Sequence, residues 1–164
     1  MIVTVVIAIL LLAINMRAPI IGFGAVAKLV QQDLGVTTKT IGLIGTIPVM
    51  AFALSSFVAP MLSRRIGLEN TMILATSLLA IGIFVRVAHP QLGFLLAGTV
   101  LLSLAISLGN VLIPAVIKKY TPNHIGLVMG SYSMFLSVFA GFASGIAMWL
   151  VSLSNWRFAL GVWG

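Results

Sequence analysis

Hydrophobic positions in this chain come in long blocks, and polar positions are confined to the short gaps between them. Uncharged runs cover residues 40–63, 90–117 and 125–156, which is 24, 28 and 32 residues. About 20 apolar residues coiled as a helix cross the hydrocarbon core of a bilayer, so each run is long enough. Residues 2–27 form a fourth run broken by Arg17 alone, and 70–85 a fifth if Arg86 snorkels to the interface. The pattern predicts spans near 2–28, 40–63, 70–88, 93–117 and 126–152, with a sixth beginning near 156. The connectors are short: about 11 residues around QQDLGVTTK, then SRRIGLEN, HPQL, KKYTPNHI and LSN. Short connectors predict antiparallel, adjacent consecutive helices. The stretch after Arg157 runs seven residues to Gly164, which reads as a chain ending inside a helix, a fragment of something longer.

Composition narrows the class. Of 164 residues, 61% are hydrophobic and 7% charged; a soluble domain carries about 25% charged residues and could not cover its surface with so few. The expected fold is all-α and polytopic, with five complete transmembrane helices and the start of a sixth. The first segment has no basic leader and contains Arg17, so it reads as a span and not as a cleaved signal. The net charge of +7 does not indicate nucleic acid, because the basic residues lie mostly at helix ends with no cluster beyond Arg64-Arg65 and Lys118-Lys119. Charge bias leaves orientation tied: Arg64, Arg65, Lys118 and Lys119 on one side face Lys28, Lys39, Arg86 and Arg157 on the other. The doublets favour the 2–3 and 4–5 loops as cytoplasmic.

Polar residues inside the spans carry the candidate chemistry. In the fourth span Ser103, Ser107, Asn110 and Pro114 recur at helical spacing and form one stripe. The face with Leu101, Leu108, Leu112 and Val116 is expected to meet lipid. Serines on such a stripe serve as interhelical hydrogen-bonding groups as readily as they bind a ligand; Asn110 is the costlier residue to bury. Tyr132 lies about 10 Å into the fifth span at ~1.5 Å per residue, a depth similar to that of Asn110, so the two could face one cavity. The fifth span is rich in Gly and Ser, and Gly141–Gly145 is a GxxxG expected to pack closely. Pro19, Pro48 and Pro114 lie within spans as helix-kink positions, where a curved packing helix is as good a reading as a functional hinge.

Arg17 is the least ordinary residue. At the bilayer centre an arginine costs at least ~2.5–3.5 kcal/mol. The chain's two acids are Asp33, expected in a loop, and Glu69, in the connector after Arg64-Arg65. Neither is placed to reach mid-span. Arg17 must then face water, backbone carbonyls, protein outside this sequence, or an anion; a water-filled cavity holding an anionic or strongly polar ligand is preferred. Asn15 lies about 200° around the helix from Arg17, so only one of them faces that cavity squarely, and Arg17 is the choice.

These features resemble a known family. The residues between the second and third spans, PMLSRRIGLE (60–69), are similar to the major facilitator superfamily signature G-x-L-A-D-R-x-G-R-R: Leu62, Arg65 and Gly67 match, while Arg64 replaces the acid and Glu69 a base. A gating salt bridge could survive with its partners exchanged. The stretch GNVLIPAVIKKYTP (109–122), with NMRAPI and NWRFALGVW, resembles the cyanate and 2-nitroimidazole transporter branch of that superfamily. The resemblance implies the N-terminal six-helix bundle of a twelve-helix transporter, a cytoplasmic N-terminus, a cell-membrane location, and a cavity lined by helices 1, 2, 4 and 5. The third span, with no deep charge, reads as peripheral.

The expected function is therefore secondary active transport of a small polar or anionic solute by alternating access. The expected site is Arg17, Asn110, Tyr132 and Ser107, with Arg64, Arg65, Gly67 and Glu69 as the gate motif. The partners are the solute, the lipid bilayer, and a C-terminal six-helix bundle or a second copy; no nucleic acid is expected. The competing reading is a stand-alone six-helix membrane subunit or scaffold that assembles as a homodimer. An enzyme is not expected, because two acids and two histidines, His89 and His124 in connectors, supply no catalytic cluster. No cofactor or metal is expected, and the chain has no cysteine.

Overall fold

The computed structural model describes residues 2–163, with side chains from Val5 onward. Its elements are α1 (Ile2–Leu34), α2 (Thr38–Ile66), α3 (Leu68–Ala88), α4 (Leu92–Tyr120), a 3-10 turn (Pro122–His124), α5 (Ile125–Leu153) and α6 (Trp156–Gly161). Among the described residues there is no strand. Five helices are long and apolar enough to cross a membrane, and the molecule is an all-α, multi-pass membrane bundle. Large apolar side chains such as Phe57, Met50, Val49 and Leu127 point outward, as lipid permits and water would not.

The helices run longer than the hydropathy pattern suggests, and the gaps shrink accordingly. Only Gly35–Thr37 separates α1 from α2, with Gly35 at φ 60 ending α1 and the Thr37 hydroxyl accepting from the Thr40 amide to cap α2. Asp33 consequently lies in the last turn of α1 and not in a loop. Between α2 and α3 stands a single residue, Gly67, at φ 90 and ψ 157. That conformation belongs almost wholly to glycine. Gly67→Ala is expected to cost about 1–3 kcal/mol, measurable as a lower unfolding midpoint in detergent. The helices continue through Pro19, Pro48 and Pro114, each of which lacks the N–H for its own helical hydrogen bond, and α2 carries a further proline, Pro60.

Sequence neighbours are not always packing neighbours. The largest contacts join α3 to α4, α1 to α5 and α2 to α4, whereas α1 touches α2, and α4 touches α5, only lightly. A short connector fixes the direction of the next helix, but apolar faces choose its partner. On α1 the buried positions Ile9, Ala13, Met16, Pro19, Phe23, Val26 and Val30 recur every three or four residues. The first three pack in one core with Val128 and Tyr132 of α5. α4 is the most enclosed span. Leu108 and Leu112, expected to meet lipid, are buried against Ala59 of α2 and Ala75 of α3, because α2 and α3 flank α4 on that side.

Glycine permits the closest approach of one backbone to another. A methyl at Gly82 of α3 would lie 2.6 Å from the Leu102 nitrogen, and one at Gly98 of α4 would lie 2.4 Å from the Arg86 Cα. The two helices therefore meet backbone to backbone. By contrast, Gly141 and Gly145 are exposed, and a methyl at either would have nothing within 4 Å. The GxxxG of α5 does not close-pack within this bundle, because α5 turns Ala143 and Ala147 inward instead.

Candidate functional site

Midway along α1, Arg17 is exposed on the bundle surface. It makes no ion pair among the described residues, and its chain neighbour Met16 packs in one core with Tyr132 of α5. Tyr132, 5% exposed, donates its hydroxyl to Asn110 Oδ1 at 2.7 Å. The Asn110 amide in turn donates to the Ile106 carbonyl one turn back, at 2.9 Å. Asn110 of α4 and Tyr132 of α5 thus form a hydrogen-bonded pair in an apolar surround, and Arg17 of α1, next in the chain to Met16 of the same core, makes it a candidate polar cluster. Its free hydrogen-bonding capacity is chiefly donor: the guanidinium of Arg17 and the second amide proton of Asn110. Such a cluster suits a solute rich in acceptors.

Ser107 does not join it. Its side chain is completely buried and donates to the Ser103 carbonyl at 2.6 Å, so the hydroxyl proton is already committed within α4. Ser103 is likewise enclosed. Pro114, on the same stripe, is exposed, and Pro19 is buried. Asn15 is exposed and reaches only the Leu11 carbonyl of its own helix, at 3.4 Å.

The loop motif is arranged differently from the exchanged gate expected for it. Arg64 and Arg65 are exposed at the end of α2 and pair with no acid among the described residues. Glu69, in the first turn of α3, takes an ion pair from Lys119 and a hydrogen bond at 2.6 Å from the Tyr120 hydroxyl. The contact ties the start of α3 to the end of α4. Glu69 stays in register with Lys119 and Tyr120, because α3 and α4 pack along their whole length; Arg64 and Arg65 point away on α2.

Arg86 departs furthest from expectation. It does not snorkel to an interface: it is 2% exposed in the last turn of α3, which makes the third span the carrier of a deep charge. Its Nη1 donates to the Pro19 carbonyl of α1 at 3.0 Å, and its guanidinium lies over the Phe23 ring, 4.6 Å from the centroid. Its Nε has no partner among the described residues. Only two residues separate Arg86 from the end of its helix, which is why sequence alone favours the interface. What decides otherwise is Gly98, which lets α4 close over the Arg86 backbone.

The same end of the bundle is fastened by NWRF. The Asn155 side chain accepts from the Phe158 amide at 2.9 Å and caps α6. Trp156 donates its indole N–H to Asp33 Oδ2 at 2.8 Å. Arg157 Nε donates to the Val87 carbonyl at 2.8 Å and its Nη2 to that of Ala88 at 2.7 Å, satisfying carbonyls left open at the end of α3.

The chain is similar to several known proteins. The family described as Major Facilitator Superfamily matches residues 3–164. A Bacillus subtilis (strain 168) protein named "Uncharacterized transporter YycB" is 32% identical over 158 residues, covering 95% of this chain and 39% of the relative. The 2-nitroimidazole transporter of Escherichia coli (strain K12) is 32% identical over 140 residues, covering 85% of this chain and 35% of that protein. The cyanate transport protein CynX of the same organism is 26% identical over 154 residues, 93% of this chain and 40% of the relative. The chain spans about two fifths of the length of these relatives.

Proposed function

Because the chain belongs to the major facilitator superfamily, we propose that it forms the N-terminal bundle of a secondary active transporter for a small acceptor-rich solute. The solute is cyanate-like or nitroimidazole-like, the two chemistries named for its relatives. Transport proceeds by alternating access, with this bundle rocking against a second six-helix bundle around a midplane site. The N-terminus is cytoplasmic and the membrane is the cell membrane. The observation that carries this reading is Arg17: an exposed cation halfway along a transmembrane helix, with no acid to pair with among the described residues, following Met16, which shares a core with Tyr132.

In the proposed site Arg17 neutralises or polarises the solute, Asn110 donates its remaining amide proton, and Tyr132 holds Asn110 in the donating rotamer. A buried polar atom deprived of its partner costs about 1–3 kcal/mol. Asn110→Leu removes both the donor and the acceptor of the Tyr132 hydroxyl. The variant is expected to lower uptake or efflux of labelled cyanate or 2-nitroimidazole about tenfold, with its membrane level unchanged. The measurement compares cells expressing the protein, the variant and an empty vector. Normal transport by Asn110→Leu would remove that residue from the site. Transport of neither solute at normal membrane level would overturn the proposed substrate class.

A further inference from the structure

The geometry points to a second anion site, centred on Arg86 and separate from the Arg17 cluster. A cavity of about 170 Å³ lies among α1, α2, α3 and α4, walled by Ile20, Phe23, Ile44, Pro48 and Leu102, with Arg86 as its one charged residue. A permanent cation taken out of water costs several kcal/mol unless its charge is met and its donors are satisfied. Here the compensation is partial. The Pro19 carbonyl takes Nη1 and the Phe23 ring lies against the guanidinium, while Nε is buried without an acceptor among the described residues. Both acids of the chain are engaged elsewhere: Asp33 accepts from Trp156, and Glu69 is bound to Lys119 and Tyr120 at the opposite end of α3. An anion in the cavity would supply what Arg86 lacks.

The walls define which anion. They are apolar apart from Arg86 and Thr99, whose hydroxyl donates to the Leu95 carbonyl at 2.6 Å. A strongly hydrated dianion entering such a place would surrender its water shell for one guanidinium. A weakly hydrated monovalent anion loses far less, and the guanidinium is itself weakly hydrated. The volume also fits: a water occupies about 30 Å³, so the space holds a three- or four-atom ion such as thiocyanate, cyanate or nitrate. The mouth is formed by Gly24 and Gly45, both exposed and with open space where a side chain would stand. Gly24 and Ile20 lie on the same face of α1 as Arg17, two turns and one turn along, so the two cations share one approach.

Equilibrium dialysis of the detergent-purified chain with labelled thiocyanate, at ionic strength held constant with sulfate, tests the site without reference to transport. The measurement is made in an Arg17→Gln background, which removes the cation proposed for the transported solute, and one saturable site per chain is expected to remain. Arg86→Gln is expected to weaken it at least about tenfold, the loss of one charge-assisted contact. Gly45→Leu is expected to weaken it equally by filling the mouth while leaving Arg86 in place, and so decides the matter if Arg86→Gln does not fold. Nitrate should compete and sulfate should not. No saturable binding in the Arg17→Gln background, binding there that survives Gly45→Leu, or effective competition by sulfate would each overturn the proposal.

Discussion

Gly98→Ala is expected to destabilise the bundle by about 3 kcal/mol or more, although the same change in an ordinary helix adds stability. Alanine exceeds glycine in helix propensity by about 1 kcal/mol, so an unobstructed site should gain from the exchange. At Gly98 the new methyl would lie 2.4 Å from both Cα and N of Arg86, where non-bonded carbons rest about 3.5–4.0 Å apart. No side chain can rotate away, because the obstructing atoms are backbone. α3 and α4 would have to separate by about 1 Å, and with them the packing of the most enclosed helix. Overpacking of a core costs typically ~1–3 kcal/mol and occasionally more; a backbone-to-backbone clash belongs at the upper end. Gly141→Ala is the control: with nothing within 4 Å, it should leave the midpoint unchanged or raise it slightly. Denaturant titration in mixed micelles, followed by circular dichroism, separates the two. Equal midpoints would mean that α3 and α4 do not approach as described.

That pair of glycines also shows what a sequence of this kind discloses. The five spans are legible because lipid leaves the chain no choice: a segment that crosses must be apolar for about 20 residues and must satisfy its own backbone. Family membership is legible for a related reason, since PMLSRRIGLE places Gly67 where a one-residue turn between helices demands positive φ. Helix facing is not legible. Gly141–Gly145 has the spacing of a packing motif and looks outward, whereas Gly82 and Gly98 have no motif and form the closest backbone-to-backbone approach. Spacing along one helix carries no information about which neighbour arrives at it. Arg86 is misjudged on the same ground, because its position near a helix end suggests water, and only the approach of α1 and α4 encloses it. Glu69 pairs with Lys119 and Tyr120 across some fifty residues, a partnership decided by the α3–α4 register and invisible in the local motif. Arg17 is legible for the opposite reason. A chain with two acids leaves few ways to neutralise a mid-span cation, and arithmetic alone isolates it.

Arg17→Ala should therefore abolish transport while sparing the fold. Among the described residues no carboxylate holds Arg17 and no core side chain packs over it, since it is exposed on the bundle surface. Removing it relieves a charge whose cost at the bilayer centre is at least ~2.5–3.5 kcal/mol, so folded protein should reach the membrane at an undiminished level. What is lost is the charge that meets the solute. A charge-assisted hydrogen bond contributes about 1.5–3 kcal/mol, and a bidentate fork holds an anion or nitro group in one orientation. Uptake or efflux should fall about a hundredfold or more. Arg17→Lys sharpens the test, because it keeps the charge but replaces the planar fork with a more strongly hydrated point charge. Partial recovery by lysine would assign the role to charge first and geometry second; no recovery would assign it to the fork. Transport unaffected by Arg17→Ala would exclude Arg17 from the site. A parallel loss of folded protein would instead assign it to holding α1 against α5, with Tyr132 as its counterpart, and would leave Asn110 alone to account for recognition.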